Sequence, residues 1–537
     1  MGKEKKSTTY SAKTELHDEH KHLFGSGGKS DFIVNMTPDG ARKLCGVYSM
    51  IAMILMALAS VPYYLAKQFE ESNKVLMLRT ENNGTLAFLI MTVLILAGFM
   101  GLLTFMIACV KKEVIVQKNK GLALFVLVII SSVVSMALSH DPMTSLYGYL
   151  DRGEGVISLI GYVGFFAIGV SITSEKWRSA ASGTIIGIGT ANGLLGILQS
   201  IPALKDYIPS YYNYLFIGYR QALTTSHTAV TEAEYFNSYA GYDASYAADG
   251  VTTSPFALAA LLTVAVAFAV NRSCYTKKLS ERLICLACTG VMFGAAVVTQ
   301  TVTALIGMGG VLLATLIFAV TDRVSSNEEG DKNAKKTANK GAVVMSFVSV
   351  AMCGAIIGGI VATDNFRLRD EHVMFTDSYE RLGIAPYQHT PHEEDIYSTL
   401  RYETWLRIED NLVFGIGPDN WGAMYADGQG MEIDRTYNEY EDVLLTRGIV
   451  GAAIYFLALI LTFVKAVRAV GGAHSGKYAK SAAYGAAAAY FAYLVQAFFN
   501  SSCNTSTPFF MLTVGLLWSY EASTGKPVKA AAKTEKE

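Results

Sequence analysis

Lysine is missing from the longest polar stretch of this chain. Residues 363–447 carry seven arginines (Arg367, Arg369, Arg381, Arg401, Arg407, Arg435 and Arg447) among eighteen Asp and Glu, with no lysine. An acidic stretch whose only cation is the planar, permanently charged guanidinium points to an anionic group to grip. Phosphate oxygens match that fork, whereas Lys offers only a point charge. Cysteine is sparse: seven residues, none between 363 and 447, and most within or beside apolar runs. That argues against a disulfide framework. Cys285-Leu-Ala-Cys288 lies in an apolar run and reads as buried thiols rather than a redox pair. The first 44 residues lack an apolar core, so no cleavable signal peptide is expected.

What the chain has in abundance is apolar length. It is 51% hydrophobic and 17% charged, with mean hydropathy +0.31, which excludes an ordinary soluble protein. A helix that crosses a bilayer needs roughly 17–25 apolar residues. About twelve such runs lie near 45–66, 87–110, 121–139, 156–174, 183–203, 254–270, 283–300, 302–320, 342–362, 448–464, 482–500 and 506–520. The seventh and eighth are divided only at Gln300-Thr301, so one long broken helix is an alternative there. None of the twelve contains an interior Asp, Glu, Lys, Arg or His. Ion-coupled transporters use such residues along the ion path, so this absence counts against one.

Charge asymmetry orients the layout. With the N-terminus inside, the inner segments hold 31 of the 44 Lys+Arg. The outer ones hold 13, of which only Lys67, Lys74 and Lys205 are lysines. The positive-inside rule then puts both termini in the cytoplasm and 363–447 outside. The expected organisation is a cytoplasmic tail (1–44), helices one to nine (45–362), the large extracytoplasmic loop (363–447), helices ten to twelve (448–520) and a second cytoplasmic tail (521–537). Both tails are charged and poor in aromatics, which predicts disorder. His17, His20 and His22 belong to a solvated tail rather than a metal site. Segment 322–341 reads as a charged inner linker.

Three outer segments carry motifs. The first runs from Ser139 to Gly155 and contains Asp141-Pro142, Ser145, Gly148, Arg152 and Gly155. The second contains Arg401, Tyr402, Trp405, Leu406 and Ile408 at near-helical spacing, with Arg401 and Trp405 on one face. Gly415-Ile416-Gly417-Pro418 then breaks that helix. The third is Tyr437-Asn438-Glu439-Tyr440, followed by Arg447-Gly448-Ile449-Val450-Gly451, and it enters the tenth run directly.

In this order the motifs resemble the bacterial O-antigen ligase and O-antigen polymerase-like superfamily. Its members carry Arg-x-x-x-Trp, a Gly-x-Gly stretch, then His-Asn-x-Tyr and Gly-x-x-Gly. The entry Thr253-Ser254-Pro255-Phe256 is similar to a further stretch of that superfamily. The resemblance spans about 139 to 465. It implies an all-α polytopic membrane protein of C-type glycosyltransferase architecture, in the bacterial cytoplasmic membrane, that transfers a glycan from undecaprenyl pyrophosphate to a lipid, glycan or protein acceptor at the outer face. It implies no nucleotide sugar, no obligatory metal and no nucleic acid. Arg401 and Arg152, then Arg220 and Arg381, are the expected pyrophosphate-binding residues. Each has a competing reading as the partner of a loop carboxylate.

Two positions depart from the superfamily pattern. Its histidine, the expected base, is Tyr437 here, and a phenol with a pKa near ~10 is a poor base at neutral pH. Glu439, or one of His372, His389 and His392, is the substitute candidate, so the expected catalytic residues are Tyr437, Glu439 and Arg401. A Ser-Arg pair expected near 302 is replaced by Gln300-Thr301-Val302-Thr303. The tyrosines of 204–253 read as sugar-stacking surface or as an interfacial belt. A polysaccharide polymerase, a polyprenyl-lipid transporter and a non-catalytic envelope-assembly scaffold are the alternatives.

Overall fold

The computed structural model describes residues 36–62, 83–114, 120–149, 152–201, 203–204, 207–208, 248–326, 334–361, 404–421, 436 and 438–522. The described residues form thirteen principal helices and no strand. They are α1 Pro38–Ala57, α2 Asn83–Val110, α3 Lys120–Leu138, α4 Pro142–Tyr147, α5 Val156–Ser171, α6 Glu175–Gln199, α7 Pro255–Tyr275, α8 Leu279–Val298, α9 Val302–Ser326, α10 Ala334–Val361, α11 Glu439–His474, α12 Lys480–Gln496 and α13 Thr507–Ala522.

All except the six-residue α4 coincide with the twelve apolar runs. Nine of these described helices are long and apolar enough to cross a membrane, while α5, α12 and α13 are shorter, at 16, 17 and 16 residues. This is the architecture of an all-α polytopic membrane protein. The seventh and eighth runs are separate helices: α8 ends before a turn in which Gln300 has φ 59° and the Thr299 and Thr301 hydroxyls lie 2.9 Å apart.

Several helices start where an oxygen-bearing side chain precedes proline. Thr37 caps α1, Asp141 caps α4 and Ser254 caps α7, each accepting a bond from a first-turn amide, with Pro38, Pro142 and Pro255 next. The helices also outrun the apolar stretches. α1 starts within the expected tail, α6 starts at Glu175 because Ser174 caps it, and α9 and α10 take up most of the expected linker 322–341. Backbone hydrogen bonding continues through polar turns where hydropathy alone sees a boundary.

α5 and α7 are buried along nearly their whole length, with α12 and α13 beside them at the centre. Missing side chains let α5 approach two neighbours. A Cβ at Gly164 would lie 2.3 Å from Gly98 Cα on α2, and one at Gly169 would lie 2.1 Å from the Leu512 carbonyl on α13. Around this core, α2, α3 and α10 turn Phe99, Ile130 and Phe347 outward, as a lipid-facing surface requires.

Successive helices alternate in direction, so the connections gather at two ends. One end holds Arg178, Arg272, Lys465 and Lys480 with their partners. The other collects segments 139–149, 152–155, 199–201, 248–254, 299–301, 404–421, 438–448 and 500–507. There Thr505 Oγ1 bonds the Thr252 carbonyl (2.6 Å) and Asn500 Nδ2 bonds the Phe256 carbonyl (3.2 Å).

Substituting Gly164→Val should destabilise the bundle by about 1–3 kcal/mol or more, because the new side chain meets backbone that cannot move aside. Gly187→Ala, with open space around the added methyl, should be neutral or slightly stabilising. Thermal unfolding of the detergent-purified variants measures both.

Candidate functional site

The gathered end is organised around a break in α11. Gly448 takes φ 62° and ψ −173°, so the helix of Glu439–Arg447 stops and restarts in a new direction. A break strands backbone groups, which must find partners when buried. Residues 412–417 supply them in both directions. Ile416 N–H donates to the Leu445 carbonyl (3.0 Å) and Gly417 N–H to that of Thr446 (3.0 Å), while Ile449 N–H donates to the Leu412 carbonyl (2.8 Å). The Ser135 hydroxyl on α3 adds a second bond to the Thr446 carbonyl (2.6 Å).

The glycines of two separate motifs make this exchange possible. Gly415 has φ 74°, and a Cβ there would lie 2.5 Å from Arg447 N. A Cβ at Gly448 would lie 2.4 Å from the Val413 carbonyl carbon. The Gly-x-Gly and Arg-Gly-x-x-Gly stretches are two halves of one interlock.

A buried ion network fastens the 141–155 segment to the same place. The Asp419 carboxylate accepts from the Tyr149 amide (2.7 Å) and the Glu154 amide (3.1 Å) through Oδ2, and its Oδ1 lies 3.1 Å from Arg152 Nη1. Arg152 Nη2 reaches Glu154 Oε2 at 3.2 Å. Asn504 Nδ2 donates to the Arg152 and Gly153 carbonyls (2.7 and 2.8 Å), and its Oδ1 accepts from Tyr162 (2.7 Å). Ser502 donates to Glu154 (3.0 Å). Asp141 caps the adjoining α4, and the Thr144 hydroxyl, with help from first-turn amides, holds its carboxyl below the usual carboxylate range. A depressed folded value means that this contribution is present at neutral pH and fades as pH falls through the folded value.

Beneath the interlock lies a cavity of about 50 Å³. That is room for a few waters or the tip of a ligand, not for a sugar ring. Its polar lining residues include Glu439, Asp442, Arg447, Tyr455, Ser502 and Thr507, and its apolar ones include Phe125 and Val128 on α3, Leu159 on α5 and Met511 on α13. Asn438 caps α11 by accepting from the Tyr440 and Glu441 amides (3.0 and 3.3 Å), which delivers Glu439 to the first turn. The Glu439 amide is shared between the Ala497 and Asn500 carbonyls (2.9 and 3.0 Å). Its carboxylate accepts from the Tyr455 hydroxyl (2.5 Å) and the Tyr493 hydroxyl (2.9 Å). Tyr455 stands on the far side of the break, so Glu439 also ties the two halves of α11 together.

Of the expected site residues, Glu439 lies in this cavity. Arg152 lies in the network above it, where two carboxylates engage its guanidinium. Arg401, Tyr437, Arg220 and Arg381 lie outside the described residues, as do His372, His389, His392, the tail histidines His17, His20 and His22, and most of the 204–253 tyrosines. Tyr207, which is described, is exposed. The expectation that no ionisable residue enters a span needs correction. The apolar run starts at 448, but hydrogen bonding carries α11 back to Glu439 and brings Glu439, Asp442 and Arg447 onto it. Arg447 was not among the expected site residues, although its place immediately before Gly-x-x-Gly marks it. All seven cysteines are free thiols.

Asp419→Asn should keep an acceptor for the two amides while leaving Arg152 with one carboxylate. Weakening one side of a buried pair costs up to about 3–5 kcal/mol, so a large loss of thermal stability is expected. Asp141→Asn, an exchange between good caps, should change it little.

Compared with known proteins, the chain matches no family model and no curated protein sequence, so its function is argued from the arrangement of these residues.

Proposed function

We propose that this protein transfers a glycan from undecaprenyl pyrophosphate to an acceptor hydroxyl at the outer face of the bacterial cytoplasmic membrane, in the manner of an O-antigen ligase. The observation that carries this reading is the cavity under the α11 break. Its lining divides between apolar and ionisable side chains, within a bundle of membrane-crossing length, and it lies where the three motif segments converge. A lipid-linked donor has the same division, a hydrocarbon chain joined to a charged head.

In this reading the acceptor oxygen attacks the anomeric carbon. The bond from that carbon to the carrier's pyrophosphate oxygen breaks, and the pyrophosphate leaves with the electron pair. Glu439 takes the acceptor proton. Two phenols already hold its carboxylate in one orientation, and a carboxylate has about four acceptor positions, so room remains for a third partner. The interlock and the Arg152–Asp419 network hold the base in place and touch no reacting atom. Arg401 keeps the pyrophosphate-binding role that the motif resemblance implies, and Tyr437, a poor base in place of the superfamily's histidine, orients the acceptor by hydrogen bonding.

Ligase and polymerase differ only in the acceptor. A deletion strain would separate them by which lipid-linked glycan accumulates and which surface polymer disappears. A transporter of polyprenyl lipids is the second reading, and the broken α11 with ionisable residues beside its break favours it. Proteoliposomes that move labelled lipid-linked glycan between leaflets without forming a product would establish it.

Glu439→Gln preserves the shape of the site and removes the base. Transfer should fall about 10²–10⁴-fold, with the protein present in the membrane at its normal level. Normal glycan attachment by this variant would overturn Glu439 as the base.

A further inference from the structure

Arg447 is the one cationic residue in the cavity lining. Its exposure is 9%, and its Nε has no hydrogen-bond acceptor among the described residues. A buried cation without a full set of partners is costly, so a fold that keeps one generally uses it. Two carboxylates share the cavity lining, Glu439 and Asp442; Glu439 is already held by two phenols from α11 and α12, and among the described residues neither carboxylate forms an ion pair with Arg447.

The local backbone aims Arg447 deliberately. It is the last residue before the break, and it packs over Gly451, where a Cβ would lie 2.5 Å from the Arg447 Cβ and 3.6 Å from its Cγ. Gly451 therefore leaves a lane for the arginine stem, and the same added atom would stand 3.2 Å from the Ser131 hydroxyl of α3. The stem thus runs between α11 and α3, along the side of the cavity that carries Phe125 and Val128. Val126 and Ile130, on the same helix, face outward. α3 therefore presents apolar side chains both to the outside and to the cavity that holds the guanidinium.

We infer that Arg447 is the residue that holds a phosphate oxyanion of a lipid-borne ligand, whose chain approaches along α3. A phosphate suits it because the site offers a partly unpaired fork in an otherwise dry wall, and the cavity admits the tip of a ligand only. The inference rests on the proposed lipid-linked donor and deepens it by naming the residue that grips the head. Arg447 would neutralise the charge that develops on the leaving pyrophosphate, while Glu439 on the same cavity takes the proton.

Binding of undecaprenyl pyrophosphate to the nanodisc-embedded protein tests this, with glycan transfer measured in parallel. Arg447→Gln should weaken binding by about 10–100-fold, the worth of a charge-assisted hydrogen bond, while Glu439→Gln should bind normally and fail to transfer. Arg447→Lys, which keeps the charge beside Glu439, serves if Arg447→Gln does not fold, and should lose about tenfold with the fork. Unchanged affinity in the folded Arg447 variants overturns the assignment, and leaves the transferase reading intact if Glu439→Gln is still inactive. Inorganic pyrophosphate that binds as tightly as the lipid would overturn the approach along α3. A wild-type protein that neither binds the lipid nor transfers glycan would overturn the function itself.

Discussion

The site depends on how one broken helix recovers its backbone hydrogen bonds. A helix of thirty-six residues interrupted at Gly448 leaves carbonyls on one side and amides on the other. Burial makes each of them expensive if unpaired. Residues 412–417 answer both sets at once, so neither partner folds into this shape without the other. The interlock in turn fixes where Asp419 stands, and Asp419 fixes the 149–154 turn through two amides and one guanidinium. Three sequence segments, one of them 270 residues before Asp419, thus become one roof over the cavity.

Much of this fold is legible in the sequence because a membrane leaves few choices. Apolar runs of bilayer length must be helices, and their order along the chain follows from hydropathy. The helix boundaries are less legible. Glu439, Asp442 and Arg447 read as loop residues because hydropathy stops at Gly448, whereas hydrogen bonding does not. The glycines of 415–417 and 448–451 announce strained or crowded backbone, but not that they crowd each other. Pairing is a property of the fold, and a single sequence does not print it.

Two described arginines of the motif segments, Arg152 and Arg447, show why charge type alone cannot assign a site. Arg152 and Arg447 are both buried and both precede glycine. Arg152 is met by Asp419 and Glu154 within 3.2 Å, as its competing reading as a carboxylate partner anticipates. Arg447 lies against Gly451, and no carboxylate among the described residues forms an ion pair with it. What separates a structural guanidinium from one available to a ligand is the identity of its neighbours, and the decisive one for Arg152, Asp419, comes from another segment.

The two ends of α11 are held in different ways, and the difference bears on how a ligand is accommodated. At the far end, His474 and Lys480 converge on the buried carboxylate of Asp322 on α9, at 2.7 and 2.8 Å, and the Tyr484 hydroxyl joins them at 2.7 Å. That clasp draws charges from α9, α11 and α12 onto one acidic group and anchors the restart of the helix. At the near end, the short segment Glu439–Arg447 is held by backbone exchange and by phenols on Glu439. Those phenols reach across the break from Tyr455 and across the bundle from Tyr493. A ligand that draws on Glu439 or Arg447 therefore acts on the shorter and more lightly tethered half of α11, while the longer half stays anchored in the bundle. The two cavity residues of the proposed function, Glu439 and Arg447, both lie on that shorter half, whose geometry the surrounding segments hold.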